Sequence, residues 1–218
     1  MRKKMENDLC FLFDMDGVMI DTEPQYDVFW KHAADKYNIG IPNFERIIKG
    51  TTLPNILKKY FSEYTESEVN TLVDELDKFE ASMKYPEIPG SVDFVKMLKE
   101  KGFKVGLVTS STAKKLEGVY RDTQFDKLFD TIVYAERIIH GKPAPDCFLL
   151  AAKDLNVDPK NCIVFEDSFA GIEAGTTAGM KVIGLATTHP AESLDGKCSM
   201  IIPNFKKLQL SDIIADSH

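Results

Sequence analysis

The sequence predicts a doubly wound α/β fold, a parallel sheet with helices on both faces, into which a cap of helices is inserted. Two observations lead to this prediction. Six short apolar runs are mostly separated by stretches of helical periodicity, which is the pattern of strand–helix–strand units. One of these separations holds more than sixty residues without a strand pattern, which is too long for a single crossover.

The predicted strands are short and almost free of charge, as strands buried on both faces are. They lie at 9–13, 103–108, 131–134, 162–165, 181–185 and 199–202. Helices are expected between them. In PGSVDFVKMLKEKG, for example, Val92, Val95 and Leu98 share one helical face and Gly102 ends the helix.

The cap is predicted between the first and the second strand. Its helical stretches lie at 24–38, 54–61 and 65–83. We therefore divide the chain into a catalytic core of residues 1–21 and 88–218 and a helical cap domain of residues 22–87.

Composition narrows the class of protein. The chain has 218 residues, of which 44% are hydrophobic and 28% charged, which favours a folded core over disorder. The net charge of -7 disfavours nucleic acid and anionic membranes as partners, and no apolar stretch approaches eighteen residues. The cysteines lack CxxC spacing, and Cys10 and Cys162 are expected to be buried thiols. We expect a cytoplasmic monomer that binds a small molecule.

Polar residues follow four of the predicted strands, at the edge where open parallel sheets bind ligands. In chain order they are Asp14, Asp16, Thr109, Ser110, Ser111, Lys142, Glu166 and Asp167. The first two directly follow the apolar run LCFLF, and a buried charge is stable only when it is paired or bound to a cation. Carboxylates suit Mg²⁺, while hydroxyl and ammonium groups bind phosphoryl oxygens. Each motif alone could be a solvated turn or a helix cap, but together they predict a magnesium and phosphate site.

Four segments resemble the motifs of the haloacid dehalogenase (HAD) superfamily of hydrolases: FDMDGV, VTSS, GKPAPD and VFEDSFAGIEAG. The insert after the first segment is similar to the small helical cap of the β-phosphoglucomutase-like branch, which includes sugar-phosphate phosphatases. The resemblance implies a Rossmann-like core, a cap that closes over the substrate, and an enzyme, a HAD-type phosphatase that uses Mg²⁺.

The resemblance also implies a role for each motif residue. Asp14 would be the nucleophile that becomes an aspartyl phosphate, and Asp16 would be the general acid and base. Lys142 would stabilise the charge shared by nucleophile and phosphate. The phosphate would be bound by Thr109 and Ser110. The metal ligands would be Asp14, Asp16 through its backbone carbonyl, Glu166 and Asp167.

Two activities of this branch stay open. We favour a phosphatase that hydrolyses a small phosphomonoester, with a sugar phosphate as the expected class. The alternative is a β-phosphoglucomutase, which moves a phosphoryl group between C1 and C6 of glucose phosphates. Tyr26 stands where the mutase pattern has a histidine, and Leu53 where it has an arginine that anchors a second phosphate. Dehalogenases lack the second acid, Asp16.

A non-enzymatic class is also considered, namely a phosphoacceptor such as a receiver domain, or a binding module without turnover. Receivers have no sixty-residue cap, and all the motif positions here hold chemically competent residues.

Within the cap, four residues near the predicted substrate site are candidates for choosing the leaving group: Glu23, Tyr26, Gly50 and Thr51. The cap lysines Lys49, Lys58 and Lys59 are expected to be solvated. The isomer of the Lys142–Pro143 bond is not determined by the sequence.

Overall fold

The computed structural model describes residues 9–49 and 51–214. Its centre is a parallel six-stranded sheet in the order β3-β2-β1-β4-β5-β6. The strands are β1 (Cys10–Phe13), β2 (Lys104–Val108), β3 (Thr131–Val133), β4 (Cys162–Glu166), β5 (Lys181–Leu185) and β6 (Met200–Ile202). They match the six predicted runs to within one residue at each end, which confirms the α/β sheet.

Strand β1 lies at the centre of the sheet, between β2 and β4. Cys10 is in register with Lys104 on one side and with Cys162 on the other. The strand order reverses between β1 and β4, and such a reversal opens a crevice at the carboxyl ends of the strands. The two strands that meet there are the ones followed by the predicted acids.

Helices of the core cover both faces of the sheet, and four further described helices form the cap. The cap helices are α1 (Glu23–Lys36), α2 (Phe44–Ile47), α3 (Leu53–Tyr60) and α4 (Glu66–Ser82). The remaining helices are α5 (Ser91–Glu100), α6 (Ala113–Thr123), α7 (Phe125–Leu128), α8 (Asp146–Asp154), α9 (Phe169–Thr177), α10 (Ala191–Leu194) and α11 (Leu210–Ile214), with short 3₁₀ turns at Ala135–Arg137 and Pro159–Asn161.

The sheet separates two apolar layers. Phe11 and Phe13 of β1 point into one layer, while Cys10 and Leu12 point into the other, as the two-residue period of a strand requires. The ring of Phe13 stacks on that of Phe165 at a centroid distance of 4.7 Å. This packing holds β1 and β4 rigidly beside each other, directly below the crevice.

The cap has its own apolar core, built around Trp30, Phe44, Phe61 and Leu72, which are buried. The three predicted cap helices are confirmed to within two residues at each end. Helix α2 was not predicted, because four residues are too few to show a helical period.

The two segments that connect the cap to the core run side by side. The Asp21 amide donates to the Pro86 carbonyl at 2.7 Å, and the Ile88 amide donates to the Met19 carbonyl at 3.0 Å. The division at residues 21 and 87 stays a prediction, and these paired connections lie at the proposed boundaries.

Two smaller expectations concern cysteines and membranes. Cys10 and Cys162 are buried free thiols, as predicted. None of the described helices is long and apolar enough to cross a membrane. The Lys142–Pro143 peptide bond, which the sequence left undetermined, is cis.

Candidate active site

Three buried carboxylates meet where β1 and β4 end. They belong to Asp14, Glu166 and Asp167, and one oxygen of each lies within 4.8 Å of the others. The parallel register pairs Phe13 with Phe165, so Asp14 and Glu166, the next residues of the two segments, stand side by side. The predicted convergence of these acids at one edge of the sheet is therefore present in the structure.

Lys142 is the cation of this cluster, which we call the acid cluster. Its ammonium donates to Asp14 Oδ1 at 2.5 Å, to Glu166 Oε1 at 2.6 Å and to the Val108 carbonyl at 3.3 Å. Burial disfavours its charge, but the carboxylates of Asp14 and Glu166 outweigh burial and hold the pKa of Lys142 above its ordinary value.

The acids of the cluster are in excess of this cation. Burial, only partly offset by Lys142, raises the pKa of Asp14 to about 8. Burial and the neighbouring Glu166 raise the pKa of Asp167 well above its ordinary value. Among the described residues, three ionised carboxylates beside the Lys142 ammonium would carry a formal charge of two negative units, which a divalent cation would balance.

Glu166 is fixed by the start of helix α9. Its Oε2 accepts hydrogen bonds from the Asp167 amide at 2.8 Å, the Ser168 amide at 2.7 Å and the Ser168 hydroxyl at 3.0 Å. A Cβ atom at Gly171 would lie 1.7 Å from Glu166 Oε1, so glycine is required there. The first turn of α9 can therefore pack directly against a buried carboxylate.

Asp167 is held by a residue that the sequence analysis missed. The Thr188 hydroxyl donates to Asp167 Oδ2, and Gly17 approaches the same oxygen so closely that a Cβ there would lie 2.1 Å away. Thr188 follows β5, at the same sheet edge as the predicted residues. Extending the strand-end rule to the fifth strand would have found it.

The hydrogen-bond partners of the Asp16 side chain lie outside the acid cluster. Its two oxygens lie 2.7 Å from the ammonium of Lys115, and it also accepts from the Ser111 hydroxyl at 3.1 Å and from the Thr22 hydroxyl. The side chain is thus separate from the three metal-suited carboxylates. Its predicted metal contact is through the backbone carbonyl and stays a prediction.

Lys115, another residue that sequence reasoning missed, joins the core to the cap. It lies in the first turn of α6, which begins after Thr112, whose side chain accepts a hydrogen bond from the Lys115 amide. Its ammonium sits 4.6 Å from the centre of the Tyr26 ring, and the Tyr26 hydroxyl donates to Glu80 at 2.6 Å. Burial raises the pKa of Glu80. The side chain that contacts Asp16 therefore also contacts the cap.

Thr109 and Ser110, the predicted phosphate-binding residues, lie at the end of β2. The Thr109 amide donates to the Val133 carbonyl at 2.8 Å, and its side-chain oxygen accepts from the Ser111 amide at 3.0 Å. Both residues line a cavity of about 140 Å³ between cap and core, which we call the cap cavity; Asp14, Asp16 and Asp167 line it as well.

Three of the four cap candidates line the cap cavity, namely Glu23, Tyr26 and Thr51. The fourth, Gly50, lies outside the described residues. Lys58 and Lys59 are exposed, as expected.

The prediction of a solvated Lys49 is wrong. Its side chain is only 8% exposed, and its ammonium lies 2.6 Å from Glu23 Oε2 and 2.8 Å from Asp27 Oδ1. Helix α1 presents both acids to Lys49, which lies just past the end of α2, and no local pattern in the sequence indicates that these elements meet.

A cluster of buried acids that could hold a metal ion, at the reversal point of a parallel sheet and under a helical cap, is the arrangement expected of a phosphate-transfer enzyme. The comparison with protein families agrees. The family described as haloacid dehalogenase-like hydrolase matches residues 11–185, so the chain belongs to this family.

Several relatives cover most of the chain. It is 34% identical over 179 residues to a phosphorylated carbohydrates phosphatase of Thermotoga maritima, covering 79% of this chain and 82% of that protein. It is 31% identical over 196 residues to a β-phosphoglucomutase of Bacillus subtilis, covering 84% and 86%. Among solved structures, a β-phosphoglucomutase from Clostridium difficile superposes with a TM-score of 0.79 at 29% identity, covering 95% and 96%.

Proposed function

We propose that the protein is a Mg²⁺-dependent phosphatase that hydrolyses a small phosphomonoester, a sugar phosphate, through an aspartyl-phosphate intermediate. One observation carries the proposal. Asp14 is ion-paired to Lys142 and lines the cap cavity together with Thr109 and Asp16. A carboxylate paired with a cation thus shares one cavity with a hydroxyl and a second acid, which are the groups that phosphoryl transfer to a carboxylate requires.

The residues present fit a magnesium ion. Asp14, Glu166 and Asp167 offer three hard oxygen ligands from a rigid sheet edge, and their excess negative charge is what a divalent cation would neutralise. When bound, Mg²⁺ supplies positive charge that reduces repulsion between the carboxylate and the phosphate dianion.

Two displacements complete the reaction. An oxygen of Asp14 attacks phosphorus, the bond to the leaving oxygen breaks, and Asp16 gives that oxygen a proton. Asp16 then takes a proton from water, whose oxygen attacks the aspartyl phosphate, so that phosphate leaves and Asp14 is regenerated. Lys142 and Thr109 bind the charge that accumulates on the phosphoryl oxygens.

The second candidate is a β-phosphoglucomutase, which the Bacillus subtilis relative favours. A mutase must hold a sugar that carries two phosphates. Leu53 lines the cap cavity at the position where the mutase pattern has an arginine, and Tyr26 packs on Lys115 where it has a histidine. These two residues support the phosphatase.

The test is phosphate release from a panel of phosphorylated sugars, nucleotides and small acids, with Mg²⁺ and with chelator, for wild type and Asp14→Asn. β-Glucose 1-phosphate is assayed separately for glucose 6-phosphate. We expect Mg²⁺-dependent release that falls at least about a thousandfold in Asp14→Asn, because an amide is not a nucleophile.

Each other outcome selects an alternative. Formation of glucose 6-phosphate with little free phosphate would identify a mutase. Absence of turnover with Mg²⁺ bound would identify a binding module. The expected monomeric state is checked on the same sample by light scattering, and the cytoplasmic location by fractionation.

A further inference from the structure

We propose that the cap cavity accepts only phosphomonoesters whose leaving group carries no second anionic group, and that Glu23 and Asp27 set this selectivity by neutralising Lys49. The inference rests on the proposed phosphatase function and narrows its substrate to neutral or amino-substituted polyols. It concerns the wall of the cavity opposite the acid cluster.

The charges that line the cap cavity are mostly negative. Seven carboxylates line it, whereas the described lining residues include two lysines and no arginine. The carboxylates are Asp14, Asp16, Glu23, Glu45, Asp77, Glu80 and Asp167. Even with the acids of the cluster balanced by a metal, the cap side of the cavity would repel a second phosphate or carboxylate.

Lys49, the cap lysine that lines this cavity, is already paired with two carboxylates. The ammonium of Lys49 contacts Glu23 at 2.6 Å and Asp27 at 2.8 Å, and the side chain is almost fully buried. To bind a distal anion, Lys49 would have to leave two carboxylates that would then remain unpaired. Glu23 lines the cavity, whereas Asp27 lies behind Lys49 and is 40% exposed.

Lys115, the other lysine that lines the cap cavity, is also paired with a carboxylate. Both oxygens of Asp16 lie 2.7 Å from the Lys115 ammonium, whose other neighbour is the Tyr26 ring. Neither lysine therefore offers a free cation to the leaving group. Hydroxyl groups can donate to the surrounding carboxylates, and an ammonium group would be attracted by them.

The experiment compares matched esters: glucose 6-phosphate, glucosamine 6-phosphate, 6-phosphogluconate and glucose 1,6-bisphosphate, with a second sugar series for generality. Wild type, Asp27→Asn, Glu23→Gln/Asp27→Asn and Asp35→Asn are measured with Mg²⁺. Asp35 is an exposed acid of the same helix, so its variant is a matched control for the loss of one negative charge.

We expect wild type to favour the neutral and amino esters over the two anionic ones by at least about tenfold in kcat/KM. Asp27→Asn should reduce this ratio about threefold or more, the double variant should reduce it further by freeing Lys49, and Asp35→Asn should not change it. The proposal is overturned if wild type hydrolyses the bisphosphate as well as the monophosphate, or if freeing Lys49 leaves the ratio unchanged.

Failure of the proposed phosphatase function can be distinguished from failure of the charge selectivity, since no ester of either series would then be hydrolysed. In that case, calorimetric binding of the same esters to Asp14→Asn with Mg²⁺ decides the charge selectivity. Equal affinity for charged and neutral members overturns it, and selective binding of the neutral and amino members supports it.

Discussion

Lys142 in the core and Lys49 in the cap are both buried lysines held by two carboxylates, yet their surroundings differ. The partners of Lys142 lie at the ends of β1 and β4 and are close to a third acid, Asp167, so the cluster could hold a metal ion. The partners of Lys49 lie one turn apart on α1 and enclose the ammonium. We therefore expect Lys142 to take part in the reaction and Lys49 to act only on the choice of leaving group.

The largest effect we predict separates these two lysines. Lys142→Met leaves Asp14 and Glu166 buried without a cation, which costs about 3–5 kcal/mol of folding free energy. We expect the melting temperature in chelator to fall by about 10 °C, and activity by at least about a hundredfold.

Lys49→Met is the matched comparison. It changes the same type of side chain in the cap, and we expect a loss of activity below about tenfold on a neutral ester, because Lys49 is already paired with Glu23 and Asp27. Equal losses of activity in the two variants would contradict the distinction between reactive and enclosing lysines. Calorimetry and phosphate release on the same samples give both quantities.

A second prediction concerns the removal of one carboxylate from the acid cluster of the core. Asp167→Asn removes one of three crowded carboxylates, so in chelator we expect the melting temperature to rise by about 2–5 °C while Mg²⁺-dependent activity is lost. Wild type should gain stability on adding Mg²⁺, and the variant should gain much less. A variant that keeps the full Mg²⁺ shift would remove Asp167 from the metal site.

The pH dependence sharpens this prediction. A carboxyl whose pKa is raised by folding holds a proton in the folded state that the unfolded chain has lost, so the free energy of unfolding falls as pH rises. With the pKa of Asp14 at about 8, wild type in chelator should lose stability between pH 4 and 8. Thermal melts across this range should show a smaller decline for Asp167→Asn.

The strand-end residues were predictable and the cap contacts were not, for a physical reason. Parallel strands bring their carboxyl ends to one edge of the sheet, so the sequence could place Asp14 beside Glu166. The two strands are far apart in the chain: the paired residues Cys10 and Cys162 are 152 positions apart. The meeting of Lys49 with Glu23 depends on how two helices and a loop pack, and no local pattern in the sequence encodes that packing. Lys115 was missed for a similar reason, because it contacts Asp16 from helix α6 and not from the end of a strand.

A third prediction tests the link between Asp16 and the cap. Lys115→Met removes the cation that holds Asp16, and we expect kcat to fall about tenfold to a hundredfold on a sugar phosphate. Lys115→Arg should recover part of this loss, because it restores the charge. A merely structural role would instead predict an equal loss of thermal stability in both variants and no recovery of kcat.

The smallest expected effect on activity concerns Lys114, the residue before Lys115. Lys114 pairs with Asp77 across the cap and core at 2.5 Å, but its side chain is 67% exposed and water screens the pair. Lys114→Ala should therefore change kcat/KM by less than about twofold. A large change would show that an exposed cap–core contact, and not only the buried Lys115, controls the site.

The most direct test of the central claim, that Asp14 is phosphorylated and Asp16 moves the proton, is a burst experiment with Asp16→Asn and p-nitrophenyl phosphate in Mg²⁺. This leaving group departs without a proton, whereas under the proposed mechanism hydrolysis of the aspartyl phosphate requires Asp16 as the base. We predict rapid release of about one equivalent of nitrophenol per site, followed by near-arrest, with a phosphoryl group on Asp14 by mass spectrometry. Steady turnover without a burst, or phosphorylation of another residue, would contradict the account.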